Sequence, residues 1–281
     1  MKVLHVNAKA GFFGGVERIL FDTATGLRER GWHQYLLHTG ENEGEDFRAP
    51  FTRVMTDLDE ALTLQPDVAL IHKEADPRRI ATLAKAVPTV RMVHDHDLVC
   101  LRRHKYFPRN TRICTLPAGM NCYTNGCFIQ RSSPGSLLPI TFKGLGGIVQ
   151  GLAAHEQVRH FIAISRFMRE ELEMNGIPAE RIELIHPIPR ALDSVKAVSP
   201  PPTDGAAEIL FVGQVIRGKG ADLMIRALAH LQDDWHATIV GDGHHLGACR
   251  DLARELGIAE RIEFTGWVDH EALGRFYERA L

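Results

Sequence analysis

Six segments in the first two thirds of the chain are near-continuous apolar runs: KVLHV (2–6), QYLLH (34–38), DVALIH (67–72), TVRMVH (89–94), HFIAIS (160–165) and RIELIH (181–186). A strand with one wet face alternates apolar and polar residues. A strand that stays apolar on both sides is covered on both faces, which is the mark of a parallel sheet between helices. Helical periods fill the gaps. Val16, Ile19, Leu20, Ala24 and Leu27 recur at helical spacing before a stop at Gly31, and PRRIATLAKAV (77–87) and RFMREELEMNG (166–176) follow the same rule. The alternation predicts an α/β, doubly wound fold.

The stretch ALDSVKAVSPPPTDGAA (191–207) interrupts this pattern with three consecutive prolines and Asp-Gly, the composition of a semi-rigid linker or boundary. Beyond it the alternation restarts with strands at 208–213, 237–243 and 261–266 and helices at about 220–231 and 245–256. The expected organisation is an N-terminal Rossmann-like domain over 1–195, carrying a Cys-containing insertion at about 97–131. A linker over 196–207 and a partial Rossmann-like domain over 208–281 follow. Three strand–helix units make half of a doubly wound sheet, so a chain truncated at its C-terminus is expected; a small second domain capped by the first is the other reading. A length of 281 residues accommodates two domains of about 150 residues each.

A net charge of −2 argues against a general nucleic-acid binder. There is no apolar run of membrane-spanning length, roughly 18 residues, and the run in MKVLHVNAKAG is too short for a signal peptide. The default location is cytoplasmic, where five cysteines are thiols or metal ligands before they are disulfides.

Two strand-to-helix turns have the residues of an anion site. The first is Asn7-Ala-Lys-Ala-Gly11-Phe-Phe-Gly14-Gly15-Val16-Glu17-Arg18. Its glycines permit close approach and its helix start offers free N–H groups. It lacks the G-x-G-x-x-G fingerprint of dinucleotide sites, and a plain strand–helix turn explains it equally well. The second is Gly213-Gln214-Val215-Ile216-Arg217-Gly218-Lys219-Gly220. Lysine supplies a point charge and arginine a two-pronged clamp, a combination that suits a diphosphate. It is not a Walker A loop, and a solvated basic turn is the bland alternative. Gly241-Asp242-Gly243, after another strand, is a weaker cleft candidate, because turns are rich in Gly and Asp. His94-Asp95-His96-Asp97 ends a strand, with His94 and His96 on one face. Two histidines alone do not make a metal site, and a polar strand end accounts for Asp95, His96 and Asp97.

Cys100, Cys114, Cys122 and Cys127 are spaced C-x13-C-x7-C-x4-C in a loop-like segment rich in arginine. Four thiolates suit tetrahedral zinc, although zinc ribbons show two tight pairs; free thiols or a conditional disulfide are the competing readings. Cys249, on a predicted helix, is read as packing.

Taken in order, GGVER, VRMVHDHD, FIAISRFMREELEMNGIPAERIELIHPIP, FVGQVIRGKGADLMIRAL, IVGDG and RIEFTGWVDHEALGRFYERA resemble a family-4 glycosyltransferase of the GT-B type. The resemblance implies two Rossmann-like domains with a nucleotide-sugar donor (UDP- or GDP-linked) in the cleft between them. It also implies a glycan or lipid-linked acceptor, retention of anomeric configuration, and no catalytic metal. It assigns His94 to the transferred sugar as a hydrogen-bond donor, Lys219 and Arg217 to the leaving diphosphate, and Gly14, Gly15, Gly213, Gln214 and Gly241 to donor binding. Two departures stand out. Gln214 occupies the place of the family's arginine, and the family's Glu-x7-Glu segment is expected beyond residue 281. Rival readings are a nicotinamide-dependent oxidoreductase, a nucleotide-binding or scaffold protein derived from a transferase, and a metal-binding interaction protein. Peripheral membrane contact through the basic stretch 102–112 is a further expectation, weighed against a solvated loop.

Overall fold

The computed structural model describes residues 1–41, 44–110, 112–132, 138–187 and 205–280. It divides into two compact units, Met1–Ile188 and Pro189–Leu281.

The first unit runs β1 (Lys2–Asn7), α1 (Gly15–Glu29), β2 (His33–His38), β3 (Arg53–Met55), α2 (Leu58–Thr63), β4 (Val68–Ile71), α3 (Pro77–Ala86) and β5 (Thr89–Val93). It continues through α4 (Asn121–Thr124), a hairpin of β6 (Ile129–Arg131) and β7 (Ile140–Phe142), then α5 (Gly146–Ala154), β8 (His160–Ala163), α6 (Arg166–Met174) and β9 (Ile182–Leu184). Seven strands form one parallel sheet in the order β3-β2-β1-β4-β5-β8-β9. The order reverses direction beside β1, which is the switch point where ligands bind in open α/β sheets.

Side chains two apart share a face of the sheet. Leu4 and Val6 pack with Ile80 and Leu83 of α3 on one side. Val3, Leu70 and Met92 meet Ile19 and Leu27 of α1 on the other. Both faces are therefore buried, as the continuous apolar runs require. Several helices start on side-chain caps: Asp57 accepts from the Glu60 amide, Asp76 from Arg78, and Ser165 from Met168.

The short β3 and α2, over RVM and LDEALT, are not legible as elements in the sequence. The predicted loop-like insertion contains α4 and leads into a hairpin that continues past residue 131. Most of the predicted linker, 196–207, lies outside the described residues; Ala207 already belongs to a strand.

The second unit holds β10 (Ala207–Val212), α7 (Ala221–Leu228), β11 (Trp235–Val240), α8 (Leu246–Glu255), β12 (Ile262–Gly266) and α9 (Gly274–Arg279). Its three described strands are parallel in the order β10-β11-β12. Val215, Ile225, Leu228, Trp235, Ile239, Cys249 and Leu252 form its core, so Cys249 packs as the sequence suggests.

Candidate functional site

In the second unit, β10 runs into the basic turn. Val215 is fully buried and anchors the turn: its amide donates to the Asp242 carbonyl at 2.9 Å and its carbonyl accepts from the His245 amide at 3.0 Å. The residues around it point outward, and Gln214, Arg217 and Lys219 are all exposed. Gly218 and Gly220 both have φ of +90°, a backbone region costly for any other residue. Gly220 is the N-cap of α7 and no side chain caps that helix, so its first amides are free for a ligand. Among the described residues, no hydrogen bond or ion pair engages the Arg217 guanidinium or the Lys219 ammonium. Two uncommitted cations beside an uncapped helix start can hold a diphosphate.

Gly241 has a different explanation. A Cβ there would lie 1.9 Å from the Gly213 carbonyl oxygen, and its amide donates to Gly266 at 2.8 Å. Backbone crossing between adjacent strand ends is sufficient to require glycine at this position.

In the first unit, the turn after β1 is knitted internally. Asn7 is fully buried, and its Nδ2 donates to the Lys9 carbonyl at 2.8 Å and to Glu17 Oε1 at 3.2 Å. Lys9 pairs with Glu41 at 2.6 Å. Gly14 caps α1 with no side-chain hydrogen bond. A Cβ at Gly15 would meet nothing within 4 Å, and one at Gly14 only Glu17 Oε2 at 3.5 Å. Packing thus makes no demand for these two glycines; they leave room outside the protein.

His94 follows directly on β5. Its Nε2 lies 3.1 Å from His72 Nδ1, and His72 Nε2 lies 3.2 Å from His5 Nδ1. Burial, reinforced by the Arg91 and Lys73 charges, holds His94 down to about 4. Asp95 is paired with Lys73 at 2.5 Å and accepts from the Asp97 amide at 3.0 Å. Burial pushes the Asp95 carboxyl up, but Lys73, the Asp97 amide and Arg103 outweigh it and leave it below the usual value. A committed carboxylate of this kind is a poor base. Asp97 is raised by burial, against the Arg91 guanidinium 2.9 Å away. His96 packs edge-on to Phe167, and burial lowers it too. Sequence reasoning missed the partners of His94. His5 and His72 sit inside apolar runs, and a histidine flanked by Val and Leu was the available signal.

The four cysteines of the insertion line one small cavity. Cys122 and Cys127 are brought together by the end of α4: the Gly126 amide donates to Tyr123 (3.0 Å), the Cys127 amide to Cys122 (2.8 Å), and Gly126 has φ of +71°. That is a Schellman ending, whose usual companion is an apolar contact between these two positions. Cys100 and Cys114 line the same cavity of about 10 Å³. All four are free thiols, and burial, with the neighbouring thiols, pushes Cys127 up. Yet among the described residues no group of three or more His, Cys, Asp or Glu is placed to hold a metal ion, so the zinc expectation has no ligand set behind it. Lys105, counted with the basic stretch, is buried against Glu171 at 2.7 Å and is unavailable to a membrane. No described helix is long and apolar enough to cross one.

The class the two units define is an α/β protein of two Rossmann-like units, the fold of the GT-B glycosyltransferases. Residues 196–281 match the family model for glycosyl transferases group 1. Lipopolysaccharide 1,6-galactosyltransferase of Salmonella typhimurium is 33% identical over 110 residues, which cover 38% of this chain and 30% of that protein. Its namesake in Escherichia coli is 28% identical over 111 residues, with the same coverage. The chain thus spans 30% of the length of the curated relatives it matches. Among solved structures, the apo lipopolysaccharide outer core galactosyltransferase WaaB superposes with a TM-score of 0.61 at 17% identity, covering 100% of this chain and 72% of that one. Anabaena HepE in complex with UDP gives 0.60 at 15% identity, covering 96% and 70%. HepE in complex with UDP-glucose gives 0.55 at 17% identity, with the same coverage.

Proposed function

We propose that this protein is a glycosyltransferase that moves a sugar from a nucleoside diphosphate, UDP in the first instance, to a glycan or lipid-linked acceptor. The observation that carries this reading is the turn Gly213–Gly220, with Arg217 and Lys219 exposed and unengaged among the described residues beside the uncapped start of α7. The group 1 match over 196–281 covers this turn, and the UDP and UDP-glucose complexes of HepE support the donor class.

In the reaction, the bond from the anomeric carbon to the diphosphate oxygen breaks as the acceptor hydroxyl oxygen forms the new one, and the hydroxyl proton goes to the departing diphosphate oxygen. Negative charge accumulates on the departing diphosphate. Lys219 offers a point charge, Arg217 a pair of parallel N–H donors, and the first amides of α7 a fixed dipole. Groups already in place cost no reorganisation when that charge develops. In the first unit we assign His94 to a sugar hydroxyl and the Gly14–Gly15 turn to close ligand approach. Retention of configuration belongs to this proposal through the resemblance to family 4.

The test is Lys219→Ala. Loss of a charge-stabilising donor should cut turnover of a UDP-sugar by about 10²- to 10³-fold, while the exposed site leaves the melting temperature unchanged. Parallel loss of melting temperature and turnover would sink the assignment. One feature favours a second reading, a nucleotide-binding protein without turnover: Gln214 is exposed and neutral where the family has a cation. UDP binding by calorimetry with no sugar transfer to any acceptor would select it.

A further inference from the structure

The three histidines described above belong to a longer chain of contacts that crosses four strands. In the sheet register Gln34 lies opposite Val3, two residues before His5. His5 lies opposite Leu70, two residues before His72. Ile71 lies opposite Arg91, which sets His72 opposite Met92, two residues before His94. Each step moves one strand across and two residues toward the C-terminal edge, and residues two apart share a face. All four side chains therefore stand on the α1 face as a staircase leading from the interior of the sheet to its ligand-binding edge. The rings are near parallel, with centroids 5.5 Å apart for His5–His72 and 5.3 Å for His72–His94. Gln34, His5 and His72 are fully buried.

We infer that Gln34, His5 and His72 form a tautomer lock that fixes His94 as a neutral imidazole with its proton on Nε2 and a bare lone pair on Nδ1. The direction is set at the far end. Gln34 Nε2 donates to the Trp32 carbonyl at 3.1 Å, so its Oε1 is the atom 2.9 Å from His5 Nε2. An amide oxygen can only accept, so His5 carries its proton on Nε2. A neutral imidazole has one N–H, so His5 Nδ1 accepts and His72 Nε2 donates to it. By the same step, His72 Nδ1 accepts and His94 Nε2 donates to it. His94 Nδ1 remains, and it is a buried atom with no hydrogen-bond partner among the described residues.

The neutrality of each ring has a physical cause. Burial holds His5 at about 4 and His72 well below its ordinary value. Around His94, burial and the Arg91 and Lys73 cations outweigh the Asp95 carboxylate. The chain is also closed as a proton wire. A proton taken up at His94 Nδ1 could hop inward only as far as His5, whose last partner is an amide oxygen. The positive charge would then rest on a fully buried ring. The arrangement fixes polarity without passing protons.

Polarity determines what His94 can bind. A group that meets Nδ1 must bring a proton, as a sugar hydroxyl does; a phosphate oxygen cannot. This part rests on the nucleotide-sugar reading, and it departs from the donor role that the resemblance implies for His94. Gln34, His5 and His72 are then positioning residues for it.

Long-range proton–nitrogen correlation spectra of the imidazoles in the uniformly labelled chain at pH 7 test the lock without any ligand. The expected result is a single Nε2–H tautomer for His5, His72 and His94; a protonated or averaged Nδ1 at His94 overturns it. Gln34→Leu removes the terminal acceptor and should turn the single His94 tautomer into two comparable populations. Gln34→Glu restores an acceptor and should restore one. A His94 that stays single in Gln34→Leu overturns the role of Gln34. Addition of UDP-glucose should then shift His94 Nδ1 toward the hydrogen-bonded range with no new Nδ1–H, and the appearance of that proton overturns the acceptor role. If UDP-glucose perturbs no resonance at all, the nucleotide-sugar reading fails while the lock, already decided in the free protein, stands.

Discussion

The turn after β1 and the turn after β10 occupy the same place in their units, between a strand end and a glycine-capped helix, yet they use their polar groups in opposite ways. The Asn7 amide nitrogen, Lys9, Glu17 and Glu41 spend theirs on one another, while the buried Asn7 Oδ1 has no hydrogen-bond partner among the described residues. Arg217 and Lys219 are exposed and unengaged among the described residues. A turn that pairs its charges internally presents mainly shape to a ligand; a turn that holds charge in reserve presents affinity for an anion. The contrast separates two kinds of glycine as well. Gly241 is demanded by its own backbone neighbours, whereas Gly14 and Gly15 are demanded by nothing inside the protein.

The largest effect should come from breaking that last distinction at its structural end. Gly241→Ala forces a Cβ to within 1.9 Å of the Gly213 oxygen, at φ of +139°. Backbone must move, and the expected destabilisation is about 4 kcal/mol or more. Urea unfolding of the second unit, followed through buried Trp235, measures it. An unchanged unfolding curve with lost UDP binding would return Gly241 to the ligand site.

The next effect sharpens the comparison through pH. His5 and His94 are held near 4 by burial, against an ordinary value of 6.5. Their folded forms bind fewer protons than the unfolded chain between those values, so stability rises with pH across that window. It is fully present above about pH 6.5 and is lost as the pH falls toward 4, by on the order of 3 kcal/mol for a shift of this size. The protection factor for hydrogen exchange in β1 and β4 peptides, taken against the intrinsic exchange rate at each pH, should fall progressively over that range. Flat protection from pH 7 to 4 would mean that the rings titrate in the folded protein as they do in the unfolded chain and that the first turn rests on a different foundation.

The sheet was legible because its strands are apolar on both faces and its helices keep period, from KVLHV to RIEFTG. The basic turn was legible because Arg217, Lys219 and three glycines lie within eight residues of one strand end. The histidine staircase was not, since its members lie 29, 67 and 22 residues apart along the chain and meet only through strand register. The cysteine spacing left its readings open for the opposite reason: C-x4-C is close in sequence, and a Schellman helix ending is enough to bring its two thiols together. β3 and α2 escaped notice because three- and six-residue elements carry too little periodicity to read.

A smaller effect tests whether the first turn is self-satisfied. Glu17 is buried and accepts from Asn7. Glu17→Ala takes the acceptor from one of the two Asn7 amide hydrogens, the other staying on the Lys9 carbonyl, and should cost about 2 kcal/mol, read by denaturant unfolding of the first unit. Glu17→Gln keeps an acceptor oxygen and should recover most of it. If Glu17→Ala leaves stability intact and alters ligand binding alone, the first turn belongs with the second as a reserve of free charge.

The smallest effect has the opposite sign. Gly15 is the first residue of α1, and open space surrounds the position of its missing Cβ. Alanine loses less backbone entropy on entering a helix, so Gly15→Ala should stabilise the first unit, by up to about 1 kcal/mol. The same methyl group would stand where a ligand approaches the α1 amides. The expected pair of results is therefore a slightly higher melting temperature with weaker binding of the donor or acceptor. A protein that is more stable and binds as well as before would show that nothing comes close to this glycine, and the turn after β1 would then be a connection between a strand and a helix and no part of the site.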